Sequence, residues 1–449
     1  MNFVEELAGK NCLVVGAGVT GRAVQKALIS FGAISKMFDE NKNNEQDVIN
    51  EISEQIELAI VSPGWHPDHK ALVKLRENGT KLMSEIDFAW KIKQVLAPHQ
   101  KWIALSGTNG KTTTIKMVES IFDAASINGK ACGNVGETVI EAVCEGEPLD
   151  YLALELSSFQ IEWSNLAKYE SIALLNISED HIDWHGSYDK YIKAKLKLAD
   201  HTKLVIANKA DPELSNRLKD SSIIWYSLGT PAPGEMGIVE NLLIDRAFSG
   251  SSASAHEVAE LADISPSVPH NVSNALAASA LALSIGISHE FIKEGLKKFT
   301  PDHHRMELVL EKDEIKWIDD SKATNPHAAI ASILSNFNVI WIAGGLTKGA
   351  NMDLLVNKCA DRLKAVILIG EDRELIAKSI LDSAKNIDIK RVDKTKGAKE
   401  LMVDVVKQAK VLAKPGDTVL LAPACASMDQ FKSYVERGEL FQLAVKELA

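Results

Sequence analysis

Gly107-Thr108-Asn109-Gly110-Lys111-Thr112, with Thr113 after it, holds the second half of a phosphate-binding loop. The full pattern is G-x-x-x-x-G-K-[ST], in which backbone N–H groups cradle phosphates and the lysine reaches the outer ones. Gly110, Lys111 and Thr112 supply its end, whereas Leu105 stands where the first glycine belongs. The apolar run 102–105 suits a buried strand, and Ile115, Val118 and Ile121 follow at helical spacing. A strand, a small-residue turn and a helix start aim backbone donors and a positive dipole end at an anion. The Thr112 hydroxyl adds a ligand for Mg²⁺. The plain alternative is a turn with a capping threonine and a solvated lysine.

Other residues could serve the same site. Glu155 closes the run 151–156, and an acid at the end of a buried strand beside a phosphate loop can hold Mg²⁺. His181 follows Glu179-Asp180; it is either a capping or surface residue or a neutral imidazole for a second divalent ion. On a helical wheel over 188–199, Lys190, Lys193 and Lys197 fall on the polar side, but Lys195 falls amid Tyr188, Tyr191 and Ile192. Such a lysine either snorkels to water or is buried, where it needs an anionic partner or becomes a reactive amine. Asn271 either caps the helical run that follows it or reads an adenine edge. Arg305, in His304-Arg305, is placed to reach a γ-phosphate across a cleft.

Toward the N-terminus, Gly16-Ala17-Gly18-Val19-Thr20-Gly21 matches GxGxxG, with Asp39 ending the next expected strand. That spacing suits a diphosphate with an acid on a ribose hydroxyl, so an NAD-dependent oxidoreductase is a rival reading. A nucleotide-sugar would use the same turn. Toward the C-terminus, Asp319-Asp320-Ser321-Lys322-Ala323-Thr324, Gly344-Gly345-Leu-Thr-Lys348 and Ala422-Pro-Ala-Cys-Ala-Ser427 each follow an apolar run. Loops at the carboxyl ends of strands bind ligands in open α/β sheets, and these three carry lysines and hydroxyls suited to a carboxylate. Asn325-Pro326 makes a good helix N-cap and first position.

The elements that position these residues alternate between strand-like and helical runs, the mark of α/β architecture. Expected strands fall into three sets: 12–15, 34–38 and 58–61; 102–105, 151–156, 171–176 and 203–207; and 316–318, 339–343, 365–369 and 418–421. Joints at 97–100 and 300–302 divide the chain into domains 1–97, 98–300 and 301–449, and residues 227–267 read as irregular or short-stranded. The 449 residues are 46% hydrophobic and 25% charged, ordinary for a soluble globular protein. A net charge of −11 argues against nucleic acid as a partner, and no run is long and apolar enough for a membrane. Five scattered cysteines and the absence of a signal peptide point to the cytoplasm.

LELSSFQ (154–160), NISEDHIDWH (176–185), DDSKATNPHA (319–328) and PACASMDQF (423–431), with GTNGKT (107–112), resemble the Mur ligases. These are ATP-dependent amide-forming enzymes of bacterial cell-wall synthesis, and their phosphate loop has this short form. The resemblance spans all three expected domains. It implies a Rossmann-like N-terminal domain, a central P-loop ATPase-like domain and a Rossmann-like C-terminal domain. It further implies a monomer that adds D-glutamate to UDP-N-acetylmuramoyl-L-alanine, with a sister ligase for another amino acid as the alternative. The UDP substrate would meet Gly18, Thr20, Gly21, Asp39, Ser62, Pro63, Gly64 and Asn134. ATP would meet the 107–113 loop, Asn271, Arg305 and Asp320. Thr112 and Glu155 would hold one Mg²⁺, and His181 with a CO₂-derived carbamate on Lys195 the other. Thr324, Lys348, Ser427 and Tyr434 would take D-glutamate, and Lys111, His181, Lys195 and Lys322 would act in catalysis.

Overall fold

Strands at the centre of a sheet covered on both faces are apolar throughout, and Leu58–Val61 and Thr418–Leu421 are buried at every residue. A computed structural model describes residues 1–39, 56–219, 222–248, 254–383, 387–393 and 397–449. They fall into two compact units, Met1–Ser267 with Asn271–Phe299, and Val268–His270 with Thr300–Ala449.

The first unit contains two sheets. One is parallel, in the order Ile34–Phe38, Asn11–Val15, Leu58–Val61, Lys81–Ser84. The other has nine strands. From Lys101–Ser106 it builds one way through Tyr151–Glu155 and Gly129–Gly133, and the other way through Ile172–Leu174, Val205–Asn208 and Ile224–Tyr226. Reversal of direction about one strand opens a crevice at the carboxyl ends, the usual ligand position in such sheets. Beyond it, Glu235–Val239 pairs parallel with Ile224–Tyr226, and Leu242–Asp245 and His256–Glu260 follow with antiparallel pairing, the short strands expected in 227–267. The alanine-rich helix Pro269–Ser284 is buried on nearly all sides, which its uniformly small and apolar residues permit.

The two sheets are tied by helix Glu85–Leu96, whose first turn carries two buried acids. Glu85 accepts the Ile140 N–H at 2.7 Å, at the start of helix Val139–Cys144. Asp87 accepts four bonds from one loop: the Ser164 hydroxyl (3.0 Å) and the N–H groups of Asn165 (2.8 Å), Leu166 (2.9 Å) and Ala167 (3.2 Å). From the other direction, the indoles of Trp163 and Trp184 donate to Trp65 O (2.9 Å) and Gly64 O (3.0 Å).

The second unit holds a six-stranded sheet in the order Glu307–Lys312, Ile315–Asp319, Thr418–Leu421, Val339–Gly344, Leu363–Ile369, Asp388–Arg391. Only the first pair is antiparallel. Helix Pro326–Leu334 starts as expected, with the Asn325 side chain accepting the Ala328 N–H.

Candidate active site

The loop after Lys101–Ser106 bends into helix Lys111–Ala124. The bend needs Gly110, whose φ of 86° is left-handed and whose added Cβ would overlap the Asn274 amide oxygen. The Asn109 N–H donates to Asn176 Oδ1 (2.8 Å), and Asn176 Nδ2 donates back to Asn109 O (3.0 Å). The Thr108 hydroxyl accepts the Ser178 N–H (2.9 Å) and lies 2.8 Å from the Tyr191 hydroxyl. Thr108 and Asn109 therefore brace the loop from within. The N–H groups of the helix's first turn, at residues 111–113, point toward its N-terminus, where backbone donors and the dipole suit an anion.

Two lysine nitrogens converge on one carbonyl. Lys111 donates to Gly107 O (2.8 Å) and Thr108 O (3.0 Å). Lys195, from helix Tyr188–Leu196, donates to the same Gly107 O (2.9 Å) and to Ser106 Oγ (3.4 Å), and its nitrogen lies 4.9 Å from the Tyr191 ring centre. At 2% exposure Lys195 does not snorkel. Burial first, and the Lys111 charge second, bring its pKa well below the usual lysine value. Lys190 and Lys193 are exposed, as the wheel requires. Lys197 departs from it: it is half-buried and donates to Glu162 O at 2.7 Å.

Glu155 pairs with Leu105 in the adjoining strand, which sets its carboxylate beside the loop. Oε1 accepts from Asn134 Nδ2 at 2.9 Å, while Oε2 is buried with no hydrogen-bond partner. A buried carboxylate oxygen left unmatched fits a cation, and the hard oxygens of Glu155 and Thr112 suit Mg²⁺. His181 sits at φ 52° before the short helix Ile182–His185, its ring edge-on to Phe159. Partial burial lowers its pKa against the opposing pull of Asp180 and Asp183, which favours the neutral ring with its lone pair. Asn271 lies inside helix Pro269–Ser284 rather than at its cap, and its amide donates to Ser265 O (3.1 Å) and Pro266 O (2.9 Å). Sequence reasoning missed Asn176 and His185. The latter is buried 3.0 Å from Ser158 Oγ with its pKa pushed down to about 4 by burial; its signal was its place four residues after His181.

At the four-stranded sheet, a cleft of about 400 Å³ is lined by Gly16, Gly18, Thr20, Asp39, Ser62 and Gly64, together with Val19, Trp65, His66 and His69. Asp39 accepts the Ala17 N–H at 2.8 Å and so shapes the glycine turn. The Ser62 hydroxyl is buried without a hydrogen-bond partner. Of the expected residues, Gly21 and Pro63 are not among the lining, and Asn134 is engaged with Glu155. Trp65, His66 and His69 were missed, although they follow strand Leu58–Val61 at its carboxyl end.

In the second unit the three loops expected to bind an acid are stitched together. Leu346 and Ala426 exchange backbone bonds of 2.9 Å, and the Ala424 N–H donates to Ala323 O at 2.9 Å. This gathers Thr324, Lys348 and the buried Ser427 on loops after adjacent strands. The Lys322 ammonium lies 3.9 Å from the centre of the Tyr434 ring. Asp320 turns inward: it accepts from the Ser332 hydroxyl and the Met306 N–H (3.3 Å), and burial pushes its pKa up to about 6. The Arg305 side chain is nearly four-fifths buried. Arg437, missed from sequence, is fully buried and donates to Ser321 Oγ (3.0 Å), Ser321 O (2.9 Å) and Cys425 O (3.2 Å).

Comparison with known proteins gives consistent matches. Residues 105–282 match the Mur ligase middle domain, and 304–425 the Mur ligase glutamate ligase domain. A UDP-N-acetylmuramoylalanine--D-glutamate ligase of Thermobifida fusca is 41% identical, with 99% of this chain and 100% of that protein covered. The enzyme of the same name from Streptomyces coelicolor is 39% identical, with 99% of each covered. Among solved structures, a MurF ligase from Thermotoga maritima in complex with ADP superposes with a TM-score of 0.59 at 15% identity, covering 100% of this chain and 98% of that one, a likeness of fold.

Proposed function

The chain belongs to the Mur ligase family, and from that premise we propose the following division of labour among its residues. The protein is an ATP-dependent ligase of peptidoglycan precursor synthesis that adds D-glutamate to UDP-N-acetylmuramoyl-L-alanine. The rival oxidoreductase reading of the glycine turn is set aside, because end-to-end relatives are ligases.

The observation that carries the assignment of roles is the meeting of Lys111, Lys195 and the unmatched Glu155 oxygen at one sheet's carboxyl edge. The first-turn amides and Lys111 bind the ATP phosphates, and Arg305 neutralises the charge of the transferred group. The substrate's terminal carboxylate attacks the γ-phosphorus, forming an acyl phosphate and releasing ADP. The D-glutamate amine then attacks the acyl carbon through a tetrahedral intermediate, phosphate leaves, and the amide remains. The protein supplies position and charge rather than covalent chemistry. Thr112 and Glu155 would hold one Mg²⁺, and His181 with a carbamate on Lys195 a second; bound there, Mg²⁺ supplies charge neutralisation to the phosphates. Thr324, Lys348, Ser427 and Tyr434 receive D-glutamate, with Lys322 beside them. The glycine turn, Asp39 and Ser62–Gly64 receive the UDP end, with Asn134 serving the muramoyl part. This reading makes the protein a cytoplasmic monomer with small-molecule substrates and neither nucleic acid nor membrane as partner. Among the described residues no helix is long and apolar enough to cross a membrane.

Purified protein should release phosphate only with ATP, UDP-N-acetylmuramoyl-L-alanine and D-glutamate all present. Faster turnover with L-alanine or a diamino acid than with D-glutamate would overturn the substrate assignment.

A further inference from the structure

His304 is not used by the mechanism above, yet it is among the most constrained residues of the second unit. It is 5% exposed at φ 65°, a left-handed conformation that a histidine rarely adopts. Met306 is also left-handed, at φ 48°, so two strained residues bracket Arg305. Strain of this kind persists only where the surroundings impose it, and here they do. The His304 N–H donates to Glu307 Oε2 (2.9 Å), its carbonyl accepts the Lys322 N–H (3.2 Å), and the Met306 N–H donates to Asp320 Oδ1.

The imidazole is what locks the bend. His304 Nδ1 lies 2.6 Å from Asp319 Oδ2, in a carboxylate with no exposed surface. The same oxygen accepts from Gln442 Nε2 at 2.9 Å. The ring lies against Gly438 so closely that a Cβ there would overlap Nδ1, Cε1 and Cγ. Gly438 and Gln442 sit one turn apart on helix Tyr434–Leu448. Although His304, Glu307 and Asp319 bring ligand atoms within 4.8 Å, the short His304–Asp319 bond and the Gln442 donation pair those atoms with the protein itself.

We propose that His304 is a positioning residue for Arg305: held over Gly438 and bonded to Asp319, it fixes the left-handed bend that aims the guanidinium. This rests on the reading of Arg305 as a group that neutralises transferred phosphate. The Asp320 carboxylate, held by Met306 and Ser332, then serves the same bend from its other side, which accounts for its inward orientation.

The test uses the full-length protein, with phosphate release measured against each of the three substrates and thermal midpoints recorded. Arg305→Ala gauges the underlying reading and should lower kcat/KM for ATP at least a hundredfold. His304→Leu, which has no donor and disfavours positive φ, should lower kcat/KM for ATP at least thirtyfold while KM for UDP-N-acetylmuramoyl-L-alanine stays within twofold. His304→Asn tolerates the left-handed region and offers an amide donor to Asp319, so it should stay within fivefold of the parent. Gly438→Ala, which acts only by pushing on the ring, should resemble His304→Leu. If Arg305→Ala is severe while His304→Leu and Gly438→Ala match the parent, the positioning role is wrong. If Arg305→Ala is harmless, the reading beneath it fails. Should the leucine and alanine variants not fold, His304→Asn decides: a folded Asn variant that loses thirtyfold, or that loses equally toward all three substrates, overturns the proposal.

Discussion

Replacing Lys195 by alanine tests whether its nitrogen is a cation or the root of a carbamate. Lys111 and Lys195 both donate to Gly107 O, at 2.8 and 2.9 Å, so their nitrogens are less than about 6 Å apart. Two positive charges at about 6 Å repel by about 3 kcal/mol at an effective dielectric constant of about 20. Near-complete burial first, and this repulsion second, shift Lys195 toward the neutral amine. A neutral amine adds CO₂ and releases a proton, leaving an anionic carbamate. The repulsion from Lys111 then becomes an attraction of similar size. Lys195→Ala should lower turnover at least about a hundredfold, the scale of losing one preorganised electrostatic group. Acetate or another short carboxylate should restore part of it, whereas Lys193→Ala, on the exposed side, should be mild. Protein equilibrated with ¹³C-bicarbonate should show a carbamate carbon by NMR that vanishes in Lys195→Ala. Parental turnover in that variant, or no such signal in active wild-type protein, would refute the reasoning.

Two further outcomes follow from buried acids. Glu155→Gln keeps the shape but removes the charge behind the unmatched Oε2, so half-maximal activity should need at least about tenfold more Mg²⁺; a Mg²⁺ titration superimposable on the parent would remove Glu155 from the cation site. Burial pushes the Glu85 pKa up to about 7 from an ordinary 4.5, so the native state holds the proton more tightly than the unfolded chain. The stability this gives is present at low pH and is lost as pH rises from about 4.5 through about 7, at most about 3 kcal/mol. Glu85→Gln keeps an acceptor for the Ile140 N–H and cannot ionise. Its thermal midpoint should therefore gain on the parent between pH 5 and pH 8, and a loss over that interval would show that the carboxylate is ionised at no cost.

Strands covered on both faces were legible because their runs are almost wholly apolar: 58–61 and 418–421 match the structure residue for residue, and so does the edge strand 34–38, despite Ser35 and Lys36. Apart from the three-residue interior strand Ile224–Tyr226, most of those that escaped lie at sheet edges. Lys81–Ser84, Gly129–Gly133, Glu307–Lys312 and Asp388–Arg391 mix charges or glycines with apolar residues, as exposed edges do. For the candidate site, the wheel placed Lys195 inside because helical periodicity is a local property. Asn176, Trp65 and Arg437 escaped because each acts through partners distant in sequence; Arg437 binds Ser321, 116 residues away. Asp320 was legible as an acid beside a lysine, but only the structure shows Met306 and Ser332 occupying it.

The acids of helix Glu85–Leu96 bear on how such chains recombine. Glu85 and Asp87 follow directly on the last strand of the four-stranded sheet, yet every partner described for their carboxylates lies beyond residue 138. A fragment cut after Ala97 would carry both carboxylates without those partners, and the remainder would lose the acceptor for the Ile140 N–H and the one that orders 164–167. The segment 1–97 is therefore a poor cassette. A chimera that grafts this segment onto a sister ligase inherits two anions in search of donors, and should fold only if the recipient's 138–140 and 164–167 counterparts are transplanted with it.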